Sequence, residues 1–181
     1  MLKNWLYGCA NFGGIGTPEH LIGKGDSPEE AIRNCDQALD MGITTFDNAN
    51  TYAAGAAEII LGQWLKKLPA LKKSQVRIST KVGNKSSTVK GGLSKSHIRE
   101  QIEVSLSRFN RDYVDILFLH FPDPLTPLEE TFECFDSLVK EGKVLALGAW
   151  RFQCYRRLSQ RSKSNLRGKL IYKIIIRTKS F

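Results

Sequence analysis

Two hydrophobic periods alternate along the chain. Short runs at 5–9, 43–46, 76–80, 114–119 and 144–147 are almost continuously apolar, or apolar in alternation, as strands are. Between them, apolar residues recur three and four apart, the spacing of one helix face. These sets are Ala31, Cys35, Ala38 and Leu39; Ile59, Ile60, Trp64 and Leu65; Ile98, Ile102 and Phe109; and Leu128, Phe132, Phe135 and Val139. The punctuation agrees with that division. Ser27-Pro28-Glu29-Glu30 predicts a helix start with a serine N-cap, proline in the first turn and a glutamate reaching back. Thr126-Pro127-Leu128-Glu129 predicts a second start of the same kind, and Ser94 a third. Gly42 and Gly142 mark helix ends, and Pro69 lies beyond another.

Five strands alternating with four helices predict an α/β fold with a parallel sheet and right-handed crossovers. The pattern fits part of a (β/α)8 barrel or an open doubly wound sheet, and does not separate them. The run at 114–119 is apolar throughout except Asp115, as suits a strand covered on both faces. A glycine-rich loop at 11–18 follows the first strand, but about ten irregular residues separate it from the first helix, unlike a dinucleotide-binding turn. Its glycines predict a loop lining a site rather than a phosphate cradle.

The 181 residues are 41% apolar, enough for one domain with a sizeable core. The net charge of +9 is uneven. Residues 151–181 hold ten Lys/Arg and no acid, whereas the rest holds seventeen against eighteen acids. Basic composition can signal nucleic-acid or anionic-membrane binding. Confined to a tail without aromatic interleaving, it predicts an end unrelated to the body, so neither partner is expected. Cys9, Cys35, Cys134 and Cys154 lie far apart, as reduced thiols would, and no signal peptide or long apolar span is evident. A cytoplasmic protein is expected; the oligomeric state is not legible.

Candidate chemistry gathers at strand ends. Asp47 closes the second run, Tyr52 follows five residues later, Lys81 closes the third run and His120 the fourth. In a parallel β/α sheet, all strand carboxyl ends open on one face, so these four would converge. A phenol ordinarily titrates near 10 and is a reluctant acid at neutral pH; an ammonium favouring the phenolate by roughly 3–4 kcal/mol would overcome that. Lys81 is the candidate ammonium, and Asp47 the carboxylate that would keep it charged when buried. His120 could hydrogen-bond a substrate carbonyl. Asp112 and Asp115 flank the opposite end of their strand and are expected to be structural. His97, in the first turn of its helix, predicts capping or solvent exposure, and His20 falls in an irregular loop. No zinc spacing, nucleophile elbow or P-loop is present.

Several strings resemble the aldo-keto reductase superfamily. Phe46-Asp47-Asn48-Ala49-Asn50-Thr51-Tyr52 is similar to its Asp-x-Ala-x-x-Tyr segment. Ser105 to Phe109, Asp112 to Asp115 and Leu117 to Asp123 together resemble its second signature. The strings at 78–83 and 142–148 match as well, so the resemblance spans roughly residues 5–149.

The resemblance implies a (β/α)8 barrel and NADPH-dependent reduction of aldehydes or ketones, with no metal. Tyr52 would donate the proton, Lys81 and Asp47 would tune it, and His120 would orient the small-molecule carbonyl substrate. Asp47 would also lie near the cofactor ribose, and Asn11-Phe12-Gly13-Gly14 would line the substrate and nicotinamide side. An alternative on the same scaffold is a non-catalytic nucleotide-binding or regulatory protein, as in reductase-like channel subunits. The family's glycine after the tyrosine and serine before the glutamate are here Ala53 and Ala57, with Glu58 retained. After Gly148-Ala149 the family continues Ser-Asn, where Trp150-Arg151 stand instead. Two segments are therefore expected: 1–149 as the N-terminal part of a barrel truncated after its fifth strand, and 150–181 as a basic tail of out-of-frame origin outside it.

Overall fold

The computed structural model describes residues 5–149; the expected basic tail and Cys154 lie outside the described residues. All five predicted strands form: β1 (Leu6–Gly8), β2 (Thr45–Asp47), β3 (Arg77–Val82), β4 (Val114–Leu119) and β5 (Val144–Ala149). They pair in parallel in the order β1-β2-β3-β4-β5. Unbroken sequential order is how a barrel grows; a doubly wound sheet reverses direction at its switch point. The topology therefore decides between the two alternatives in favour of a partial barrel.

The helices are α1 (Pro28–Asp40), α2 (Ala56–Lys67), the single turn α3 (Ala70–Lys73), α4 (Lys95–Phe109) and α5 (Leu128–Lys140). Neighbouring long helices pack on one another, α1 on α2, α2 on α4 and α4 on α5. A core between helices and sheet buries Cys35, Phe46, Trp64, Ile78, Ile98, Phe109, Phe135 and Val144. At Gly62 the α2 and α4 backbones touch, and any side chain there would run into the carbonyl of Arg108.

Start signals hold at two helices and fail at a third. Ser27 Oγ accepts from Glu30 N at 3.2 Å while the Glu30 carboxylate accepts from Ser27 N at 2.8 Å, a complete capping box. Ser94 caps α4 by accepting from His97 N. Thr126, however, does not cap α5. Its hydroxyl donates to Asp123 Oδ2 at 2.6 Å, a charged acceptor, and Pro127 stands at the N-cap without a side-chain bond. Pro69 opens α3 rather than merely ending α2. Asp123 also accepts from Leu93 N and Leu125 N, tying the loop before α4 to the loop before α5.

Candidate active site

Strand alternation sorts the polar side chains at the carboxyl rim onto two faces. Asp47 on β2 is in register with Ser79 on β3. Ser79 Oγ donates to Asp47 Oδ1 at 2.6 Å, and Lys81, two residues on and on the same face, donates to Asp47 Oδ2 at 2.6 Å. Thr80, between them, faces the helices and donates to Glu58 Oε1 of α2 at 2.6 Å.

Lys81 is only 1% exposed, and its ammonium donates to three groups. Besides Asp47 these are the Asn48 carbonyl at 2.7 Å and the Tyr52 hydroxyl at 3.2 Å. Burial alone would push the ammonium down. The Asp47 carboxylate and the Tyr52 hydroxyl outweigh it and hold Lys81 above the ordinary lysine value. The expected role of Asp47, keeping a buried lysine charged, has a physical basis in this pair.

His120 follows β4 directly, its backbone N donating to Val82 O at 2.8 Å. The imidazole stands edge-on to Tyr52, with centroids 6.0 Å apart and planes at 83°. Asp47, Tyr52, Lys81 and His120 thus meet at one rim, with Tyr52 half-buried. Cys9, at the end of β1, is buried there too, but burial and neighbouring acidic groups push its thiol well up and leave it inert.

Tyr52 sits on an unusual turn. Ala53 and Ala54 have φ of 47° and 55°, and Gly55 follows at 96°. Left-handed backbone costs a non-glycine residue about 1–2 kcal/mol, so two successive alanines need external support. Three contacts give it. Ala53 N donates to Gly16 O at 2.8 Å, so the glycine-rich loop braces the turn. Arg108 of α4 donates to the Asn50 carbonyl at 3.0 Å and to Glu58 Oε2 at 2.9 Å. Thr51, Thr17 and Asn84 share hydrogen bonds at 3.1–3.3 Å and join three rim loops. Phe12 of the first loop is fully buried, against Tyr7 at 5.9 Å, and serves the core.

Asp115, one of the two carboxylates expected to be structural, is so. It accepts from Ile78 N at 2.8 Å and pairs with Arg111 at 3.5 Å, away from the rim. His97, expected at a cap or in solvent, is half-buried, with its backbone N donating to the Ser94 cap. Sequence reasoning gave no role to Ser79, Asn48, Glu58 or Arg108. Ser79 was visible by strand period, two residues before Lys81. The face made by Gln101, Ser105 and Arg108, spaced four and three along α4, was visible as a polar set at helical spacing.

A profile of the Aldo/keto reductase family matches residues 7–164. The chain belongs to that family. It is 37% identical over 131 residues to a provisionally named voltage-gated potassium channel subunit beta of Schizosaccharomyces pombe, covering 70% of this chain and 38% of that protein. It is 38% identical over 135 residues to the 6-dehydroglucose reductase of Agrobacterium fabrum, covering 70% and 45% respectively. Among solved structures, the holo form of an aldo-keto reductase from Bacillus halodurans superposes with a TM-score of 0.68 at 29% identity, over 87% of this chain and 49% of that one. The chain therefore spans less than half the length of these three relatives. Among the described residues no helix is long and apolar enough to cross a membrane.

Proposed function

We propose that this aldo-keto reductase chain carries the proton-donating half of a site that reduces aldehydes or ketones to alcohols with NADPH. The observation that carries the reading is the Tyr52 hydroxyl 3.2 Å from an ammonium that is itself 2.6 Å from a carboxylate. When bound, NADPH supplies the hydride that reaches the carbonyl carbon. The donor set fits such a group: a phenol beside a buried ammonium gives a proton but no electrons, the complement of what a nicotinamide delivers. Asp47, at the rim with its side chain 12% exposed, would hold the ribose side.

Tyr52 hydrogen-bonds the carbonyl oxygen and passes its proton to it as charge builds there. Lys81 stabilises the phenolate left behind, and Asp47 keeps Lys81 protonated. His120, edge-on beside the phenol, bounds the substrate and fixes its approach. The similarity to a channel subunit favours a second reading, nucleotide binding without turnover. NADPH oxidation by the full chain with a panel of aldehydes and ketones tests both. Turnover that disappears in Tyr52→Phe is expected. Binding of NADPH with no carbonyl reduced would favour the second reading, and undiminished turnover in Tyr52→Phe would sink the first.

A further inference from the structure

Behind β3 lies a second ion pair, its carboxylate buried and its guanidinium half-buried, that the reduction chemistry does not use. Glu58 is fully buried, accepts from Thr80 on one oxygen, and holds Arg108 at 2.9 Å on the other. Thr80 immediately precedes Lys81, so the two ion pairs stand back to back across one strand. Arg108 also reaches the Asn50 carbonyl at 3.0 Å, two residues before Tyr52. Its guanidinium lies flat against Gly55, where any Cβ would run into it. Seven residues earlier on the same helix face, Gln101 accepts from Asn50 Nδ2 at 2.9 Å. Helix α4 therefore grips both ends of the left-handed turn that bears the phenol.

We propose that Arg108, anchored by Glu58, is a positioning residue that holds the Asn50–Gly55 turn and sets the Tyr52 hydroxyl against Lys81. Its link to turnover rests on Tyr52 being the proton donor; its link to geometry does not. A guanidinium suits the task because its fork bonds a carboxylate and a carbonyl at once while its plane packs on the glycine. A lysine could make only part of that contact.

The test uses the full chain with 13C-labelled tyrosine rings, observed by NMR, the Tyr52 signal being the one lost in Tyr52→Phe. In Arg108→Met the Tyr52 signal should shift or broaden while those of Tyr7 and Tyr113 stay put. Turnover should fall about ten- to hundredfold through kcat, with KM little changed. Arg108→Lys should recover part of both. Glu58→Gln is a gentler second variant. An amide keeps the shape of the carboxyl and one oxygen acceptor while removing the charge that anchors Arg108. It should perturb Tyr52 in the same direction, and it carries the test if Arg108→Met does not fold. A folded variant of either kind with an unmoved Tyr52 signal overturns the proposal, whatever happens to its melting temperature. A chain that reduces nothing, yet whose Tyr52 signal moves in Arg108→Met, leaves the clamp standing and removes the reduction reading.

Discussion

Replacing Lys81 by methionine separates the electrostatic role of the ammonium from its bulk. The side-chain volumes are close, so the packing around a 1%-exposed site is nearly kept. What goes is a positive charge 3.2 Å from the Tyr52 oxygen. At an effective dielectric constant of about 20, a unit charge at that distance stabilises a phenolate by about 5 kcal/mol, or three to four orders of magnitude in rate. The cost to folding is smaller. Removing one partner of a buried pair costs about 3–5 kcal/mol when the other is stranded. Asp47 keeps Ser79 and its side chain is 12% exposed, which places the loss at the low end. The pH sign follows from the raised pKa of Lys81. The contribution of the pair is complete below the ordinary lysine value of 10.5 and is lost only as pH climbs through the higher folded value. Stability of wild type relative to Lys81→Met should therefore be flat from neutrality to about pH 10 and converge above it. Circular dichroism confirms folding, and kcat and KM from NADPH absorbance give the rate. A folded Lys81→Met within tenfold of wild-type kcat would refute the electrostatic account.

Two further outcomes are expected. Ala54→Gly relieves about 1–2 kcal/mol of left-handed strain and adds about 0.5–1 kcal/mol of unfolded-state entropy, so it should stabilise by roughly 0.5–1 kcal/mol. Ala53→Gly also forfeits a buried methyl of about 0.8 kcal/mol and should be near neutral; thermal denaturation that reverses this order would discredit the strain argument. At Asp123, burial works against ionisation, but the bonds from Thr126, Leu93 and Leu125 outweigh it and hold the carboxyl below its usual value. Its stabilisation is therefore present above about pH 4 and lost as pH falls through the folded value. Solvent screening limits it to about 1 kcal/mol, so melting temperatures of wild type and Asp123→Asn should differ by roughly 2–4 °C at neutral pH and converge in acid.

The strands and the rim where the candidate side chains gather were readable because both follow from periodicity. A parallel sheet turns position at a strand end into position at one face, so Asp47, Lys81 and His120 could be placed without coordinates. The choice between barrel and open sheet was not readable, because alternation of elements is the same in both and only pairing order differs. Helix α5 shows a local limit. Thr126-Pro127 has the same look as Ser27-Pro28, yet Asp123 three residues earlier takes the hydroxyl. The tyrosine turn shows another. Ala53 stands where the family has glycine, and its φ of 47° explains why glycine would sit there without strain. Nothing in an alanine pair announces left-handed backbone. It is imposed by contacts from Gly16 and Arg108, distant in sequence and near in space.

The unfavourable features of this fold are concentrated rather than scattered. The ion pairs Asp47–Lys81 and Glu58–Arg108, whose carboxylates are both buried, and two left-handed alanines all gather around the turn that bears Tyr52. Buried charges are dear to desolvate, and well-packed apolar residues commonly serve a core better. A chain selected for stability alone would have little reason to place four charges and a strained turn together when its core is otherwise filled by Leu, Ile, Val and Phe. Each feature finds a reason only when referred to the phenol. On the proposed reading, Asp47 would keep Lys81 charged, Lys81 would stabilise the phenolate, and Arg108, anchored by Glu58, would hold the turn that aims the hydroxyl. Departures from local rules gather where function needs them. On that logic, replacing Glu58 and Arg108 together by apolar residues of similar volume should cost much less stability than Arg108→Met alone. It should nonetheless leave Tyr52 as poorly placed as the single change does, because the packing can be restored without the grip on the Asn50 carbonyl. A double variant that regained wild-type turnover would show that the ion pair had served packing alone.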